Sequence, residues 1–166
     1  MLACAEIARR YQPSVAPREA IRGPSDALAH LAPLRLLEQE KLVVLLLDIR
    51  LCLVAIETVA TGSVAHVSVR VSEIFTPAVA AGASALVLAH NHPSGDANPS
   101  PEDAELTRAA VAAGAVLDID VIDHMIVTRR SYYSFRESRR IHGGALCAGP
   151  AEEPALGRPR SNGRST

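Results

Sequence analysis

The sequence has no tryptophan, and only 3% of its residues are aromatic. Few side chains are therefore available for stacking on nucleic-acid bases, and the core must be built from Ala, Val, Leu and Ile. Excess charge is lacking as well: 17 Lys and Arg stand against 18 Asp and Glu, a formal net charge of -1. No overall field draws such a chain to nucleic acid or to an anionic membrane, although a local patch is still allowed. Cysteine occurs three times, at Cys4, Cys52 and Cys147, widely spaced and without a Cys-x-x-Cys. That argues against a disulfide framework or a thiolate zinc site and fits a reducing, cytoplasmic setting. Long apolar runs are missing too: Leu42 to Leu47 ends at Asp48 and is far too short to span a bilayer. The first residues carry Glu6, Arg9 and Arg10 with no long apolar stretch behind them, so a secretory signal is not expected.

What the chain does have is an apolar fraction of 48% in 166 residues, enough for one domain with tails. Residues 1–23, punctuated by Pro13 and Pro17, read as a flexible leader, residues 24–142 as the domain, and residues 143–166, rich in Gly, Pro, Ser and Arg, as a disordered tail. Ser25 is placed to cap a helix from Asp26 towards Glu38, with Pro33 as an interruption. Two aliphatic strands follow, Lys41–Asp48 and Cys52–Val59, joined by a turn at Asp48-Ile49-Arg50. A helix over Ser72–Ala81 stops at Gly82. Ser84–His90 is continuously apolar, the pattern of a strand covered on both faces. After a turn-rich loop, Ser100 caps and Pro101 opens a helix running to Gly114. Leu117–Val121 and His124–Thr128 read as two strands, and Tyr132–Phe135 as a last short one. This order predicts an α/β domain with a mixed sheet and helices layered against it.

The chemistry is concentrated at His90-Asn91-His92-Pro93 and at Ser100 and Asp103. Residues two apart at a strand end point the same way, so His90 and His92 share a side and Asn91 points away. Two imidazoles and a carboxylate suffice as the protein ligands of a catalytic zinc, whose remaining position activates water. Asp103 sits in what reads as a capping box, where an acid in the first helical turn is stabilised without any metal. The two roles are compatible, since a carboxylate has two oxygens; Asp96 and Glu102 are rival ligands nearby. Ser100 reads first as a cap, with oxyanion stabilisation as the alternative. A hydrolytic zinc also needs a general base, and Glu38, Glu40 and Glu57 are equal candidates on local sequence. His124 is a candidate hydrogen-bond partner for a ligand histidine, with packing against the sheet as the plainer reading.

The run from His90 through Asp103, with Ser100 three residues before the acid, resembles the JAMM (MPN+, JAB) metalloprotease signature. The segment His-Asn-His-Pro-Ser-Gly at 90–95 is similar in particular to the RadC family, whose members are often labelled DNA repair proteins. Leu45-Leu-Leu-Asp48, Ile56-Glu57, Gly62-Ser63, Ser72-Glu-Ile-Phe75, Asp123-His124-Met-Ile-Val127 and Ser134-Phe135 support it, and the resemblance covers about residues 25–138. It implies a three-layer α/β/α sandwich of the JAB/MPN, cytidine deaminase-like type. It also implies Zn2+ held by His90, His92 and Asp103, Glu40 as general base with Glu57 as runner-up, and Ser100 at the oxyanion. The implied activity is hydrolysis of an amide or isopeptide bond in a peptide or protein. The alternative is a repair or mobile-element protein that binds nucleic acid or a partner. Members usually carry an N-terminal helix-hairpin-helix-like region, where this chain has only its leader, and that lessens the DNA reading. Ser72 replaces a family Arg and Gly62-Ser63 a Gly-Thr; neither change touches the metal residues.

Overall fold

Two aliphatic strands buried on both faces decide the architecture. In the computed structural model, which describes residues 20–62, 69–142 and 145–146, β1 (Lys41–Leu47) is buried beyond its first residue and β3 (Ala85–Asn91) throughout. They pair antiparallel, Leu42 opposite His90 and Leu46 opposite Leu86. With β2 (Leu53–Thr61), β4 (Asp120–Val127) and β5 (Tyr132–Ser134) they form a mixed sheet of order β2-β1-β3-β4-β5. The β3–β4 pair is parallel, and a parallel pair needs a crossover, here the long helix α3 (Pro101–Leu117).

Strand alternation divides the core in two. On one face Leu42, Val44, Leu46, Leu86 and Leu88 pack with Ile74, Phe75 and Ala78 of α2 (Val71–Ala80) and with Ala110 and Val111 of α3. On the other, Val43, Leu45, Leu47, Val87 and Met125 pack with Ala27 and Leu31 of α1 (Pro24–Leu31). The result is the α/β/α layering expected, with each fully buried aliphatic side chain contributing about 1.5–3 kcal/mol.

Several boundaries differ from the sequence expectation. The first helix begins at Pro24 after Gly23, so Ser25 lies inside it and does not cap it. It stops at Leu31, and a 3-10 turn over Leu34–Leu36 follows Pro33, which cannot donate to a continuing helix. Gly114 does not end α3; a Cβ there would collide with the Ile119 carbonyl oxygen, so glycine is needed where the chain doubles back against the helix. The helix ends instead at Asp118, in the left-handed region at φ 53°. The two strands expected around residue 122 are one strand, β4, with a bulge opposite Leu86 and Val87 that breaks the alternation. At both ends the fold extends past 24–142: Ala20 bridges to Cys52, Ile21 is buried, and Ala145–Leu146 (β7) pairs with Ile141–His142 (β6). The rest of the expected leader and tail lies outside the described residues. Among the described residues, no helix is long and apolar enough to cross a membrane.

Candidate metal centre

The site forms where β3 ends, beside the start of α3. His90 is the penultimate residue of β3, and His92, just past the strand, is held by its N–H on the Val127 carbonyl at 2.9 Å. Gly95, at φ 89°, turns the chain so that its N–H returns to the His92 carbonyl at 3.1 Å. The two imidazoles face one another, with Nε2 atoms 3.0 Å apart. Asp103 Oδ1 lies 3.2 Å from His90 Nε2, and its Oδ2 lies 3.8 Å from His92 Nε2. Glu40, on the segment entering β1, brings Oε1 to 3.8 Å from the same His92 nitrogen. Ligand atoms of Glu40, His90 and His92 all lie within 4.8 Å of one another, so two carboxylates flank the imidazole pair.

This donor set fits a small divalent cation. Bonds of about 2.0–2.1 Å in a tetrahedron put ligand atoms about 3.3 Å apart. The 3.0 Å and 3.2 Å separations around His90 Nε2 are close to that. Two imidazole nitrogens at this distance cannot both present lone pairs to each other without repulsion, so a proton or a cation must lie between them. Each ring is held from behind. His92 Nδ1 donates to the Asp96 carbonyl at 2.8 Å. His90 Nδ1 lies 3.0 Å from His124 Nε2, and His124 Nδ1 lies 2.6 Å from Thr107 Oγ1. The Thr107 hydroxyl donates to the Asp103 carbonyl at 2.6 Å. Burial, and then the charge of His90, lowers the pKa of His124 to about 3, so its ring is neutral.

Asp103 is steadied by the reciprocal capping box. The N–H and hydroxyl of Ser100 donate to Oδ2 at 2.8 and 2.7 Å, and the Asp103 N–H donates to Ser100 Oγ at 3.0 Å. Burial works against the charge on this carboxyl, but the hydrogen bond and charge of His90 and then the Ser100 donors outweigh it and hold the group well below the usual carboxylate range. The single hydroxyl proton of Ser100 is committed to Asp103 in this arrangement.

The other acids stand apart. Glu57 is exposed on β2 opposite Val44, with β1 between it and the imidazoles. Glu38 and Glu102 are exposed, and the Asp96 carboxylate accepts from Asn98 at 3.0 and 2.9 Å. Asn91, read from sequence only as pointing away, has a defined task. Its Oδ1 accepts from the Lys41 N–H at 2.8 Å, and its Nδ2 donates to the Gln39 and Leu37 carbonyls at 3.1 and 3.3 Å. It thereby clamps the backbone on both sides of Glu40. No local signal announces that contact, because the partners are about fifty residues away in sequence. Thr107 was legible in principle: it lies one turn after Asp103 on the same helix face.

The family described as RadC-like JAB domain matches residues 21–141 of this chain. Among curated relatives, a UPF0758 protein of Chloroflexus aggregans is 45% identical over 137 residues, covering 81% of this chain and 60% of its own length. Those of Roseiflexus castenholzii and Rubrobacter xylanophilus are 41% and 38% identical, covering 81% and 82% of this chain and 59% and 61% of their own. The chain thus spans about three fifths of the length of these relatives. With the matched span running from the start of α1 through the last strands of the sheet and enclosing every residue of the imidazole–carboxylate cluster, the chain belongs to the RadC family and carries its JAB-type domain.

Proposed function

We propose that this domain is a zinc-dependent hydrolase of the JAMM type, acting as a metallopeptidase on an amide or isopeptide bond of a peptide or protein substrate in the cytoplasm. The observation that carries it is the convergence of His90, His92 and Asp103 on one point with Glu40 at its edge. His90, His92 and Asp103 would hold the metal. Of the two flanking acids, Asp103 suits ligation because it is buried, kept ionised and fixed by Ser100. Glu40 suits proton transfer because its carboxylate is partly open to solvent while its backbone is clamped by Asn91.

A zinc ion held there supplies a Lewis acid and lowers the pKa of water to about 7. Glu40 Oε1 accepts a proton from the attacking water and returns it to the leaving amine. Ser100 turns its hydroxyl from Asp103 to the oxyanion that develops on the substrate carbonyl, while its N–H stays on Asp103.

The test has two arms. Purified protein should bind close to one zinc per chain, and a content far below that, unresponsive to added zinc, overturns the proposal. Against a panel of fluorogenic peptide and isopeptide amides, Glu40→Gln should keep its zinc and lose about 10²- to 10⁴-fold in turnover. Undiminished turnover in that variant removes Glu40 from the mechanism.

A further inference from the structure

We infer that Thr107 and His124 are positioning residues that fix which nitrogen of His90 is left to the metal, through a one-way chain of hydrogen bonds beginning at the backbone of Asp103. The inference rests on the metal-site reading above and goes beyond its ligands to two residues that do not touch the metal point.

The direction of the chain follows from the chemistry of its first link. A carbonyl oxygen can only accept, so the Thr107 hydroxyl gives its one proton to the Asp103 carbonyl, at 2.6 Å. Thr107 Oγ1 then offers only lone pairs to His124 Nδ1, 2.6 Å away, and that nitrogen must carry hydrogen. His124 is wholly buried and stacked on Phe135, with ring centroids 5.1 Å apart, a setting that favours the neutral ring with a single proton. Its Nε2 is therefore bare and accepts from His90 Nδ1 at 3.0 Å. With hydrogen on Nδ1 held by His124, Nε2 is the nitrogen of His90 left for a cation; it faces His92 and Asp103, and without a cation it is the atom that meets the Asp103 carboxylate.

Two features of the fold build this chain. The bulge in β4 places His124 beside Leu88, on the face that His90 and α3 share. Thr107 stands one turn after Asp103 on α3, so one helix sets both the Asp103 carboxylate and, through three hydrogen bonds, the imidazole beside it. His92 needs no such device, because a carbonyl of its own loop, that of Asp96, holds its Nδ1 proton.

The experiment combines imidazole 15N–1H NMR on metal-free protein with zinc affinity measured by competition against a chromophoric chelator. The wild type should show His124 and His90 each protonated at Nδ1. Thr107→Val keeps the side-chain shape but lacks the hydroxyl; it should lose the fixed His124 tautomer and bind zinc about 10- to 100-fold more weakly, whereas Thr107→Ser should remain within about threefold of wild type. A wild type that binds zinc but shows His124 protonated at Nε2 overturns the inference alone, as does Thr107→Val with unchanged zinc affinity. A wild type that takes up no zinc overturns the metal reading as well. Should Thr107→Val fail to fold, the wild-type spectrum still decides.

Discussion

Asp103 and Asp123 are equally buried, each 4% exposed, yet their carboxyls are driven in opposite directions. Asp123 lies on β4 on the α1 side of the sheet, where burial pushes its pKa up to about 6 against hydrogen bonds from the Ser134 hydroxyl at 2.6 Å and the Arg136 N–H at 3.0 Å. Asp103 meets the same burial, but His90 at 3.2 Å and the two Ser100 donors reverse the outcome. The lesson is that burial alone does not set the charge of a carboxyl; its neighbours do. Asp123 fastens the turn after β5, and Asp103 stands ionised beside two imidazoles.

The comparison breaks most sharply at the metal. Asp103→Ala should weaken zinc binding by about 1,000-fold or more, equivalent to about 4 kcal/mol, while Asp123→Ala should leave the affinity of the folded protein close to wild type. Equal losses in chelator competition would show that the two acids are not distinguished as described.

A pH series tests the other half. The folded pKa of Asp123, about 6, lies above the unfolded value near 3.9, so the native state binds that proton more tightly. Its contribution to stability is fully present below about pH 4 and is lost as pH rises through about 6, a change on the order of 3 kcal/mol. Urea midpoints of wild type should therefore fall relative to those of Asp123→Asn across that window. A constant difference between the two proteins would mean that burial is not governing this group.

A third acid, Glu40, is governed through its backbone. Asn91→Ala strips partners from Lys41 N–H and from the Gln39 and Leu37 carbonyls, and should cost about 2 kcal/mol in denaturant melts. Zinc affinity should hold while turnover falls, which separates the Glu40 support from the ligand set. The smallest effect belongs to the cap: Ser100→Ala should cost about 1 kcal/mol, read from the melting temperature, and a neutral result would indicate that the box adds no stability to α3.

Sequence and structure agree best where one signal was sufficient. The continuous apolar run of β3 announced a strand covered on both sides, and β3 is buried throughout; the aliphatic run of β1 announced a strand, and it is buried beyond its first residue. Ser100-Pro101 marked the start of α3, because cap chemistry is local. The spacing of His90, His92 and Asp103 singled out residues that the fold brings within 3.0 to 3.8 Å of one another. Signals failed where a distant neighbour overrode the local one. Gly114 looked like a helix stop but is a close approach to Ile119, and the break in pattern near residue 122 looked like two strands but is a bulge.

By itself, the sequence determined the layered α/β class, the two central strands and the residue types able to hold a cation, since hydrophobic period, caps and ligand spacing are written within short stretches of chain. Only the tertiary structure decided which glutamate stands beside the imidazoles, that Asn91 clamps the segment bearing it, and that His124 and Thr107 back His90. Those contacts join residues 17 to 54 positions apart, and their geometry depends on strand order, register and one bulge, none of which a local pattern encodes.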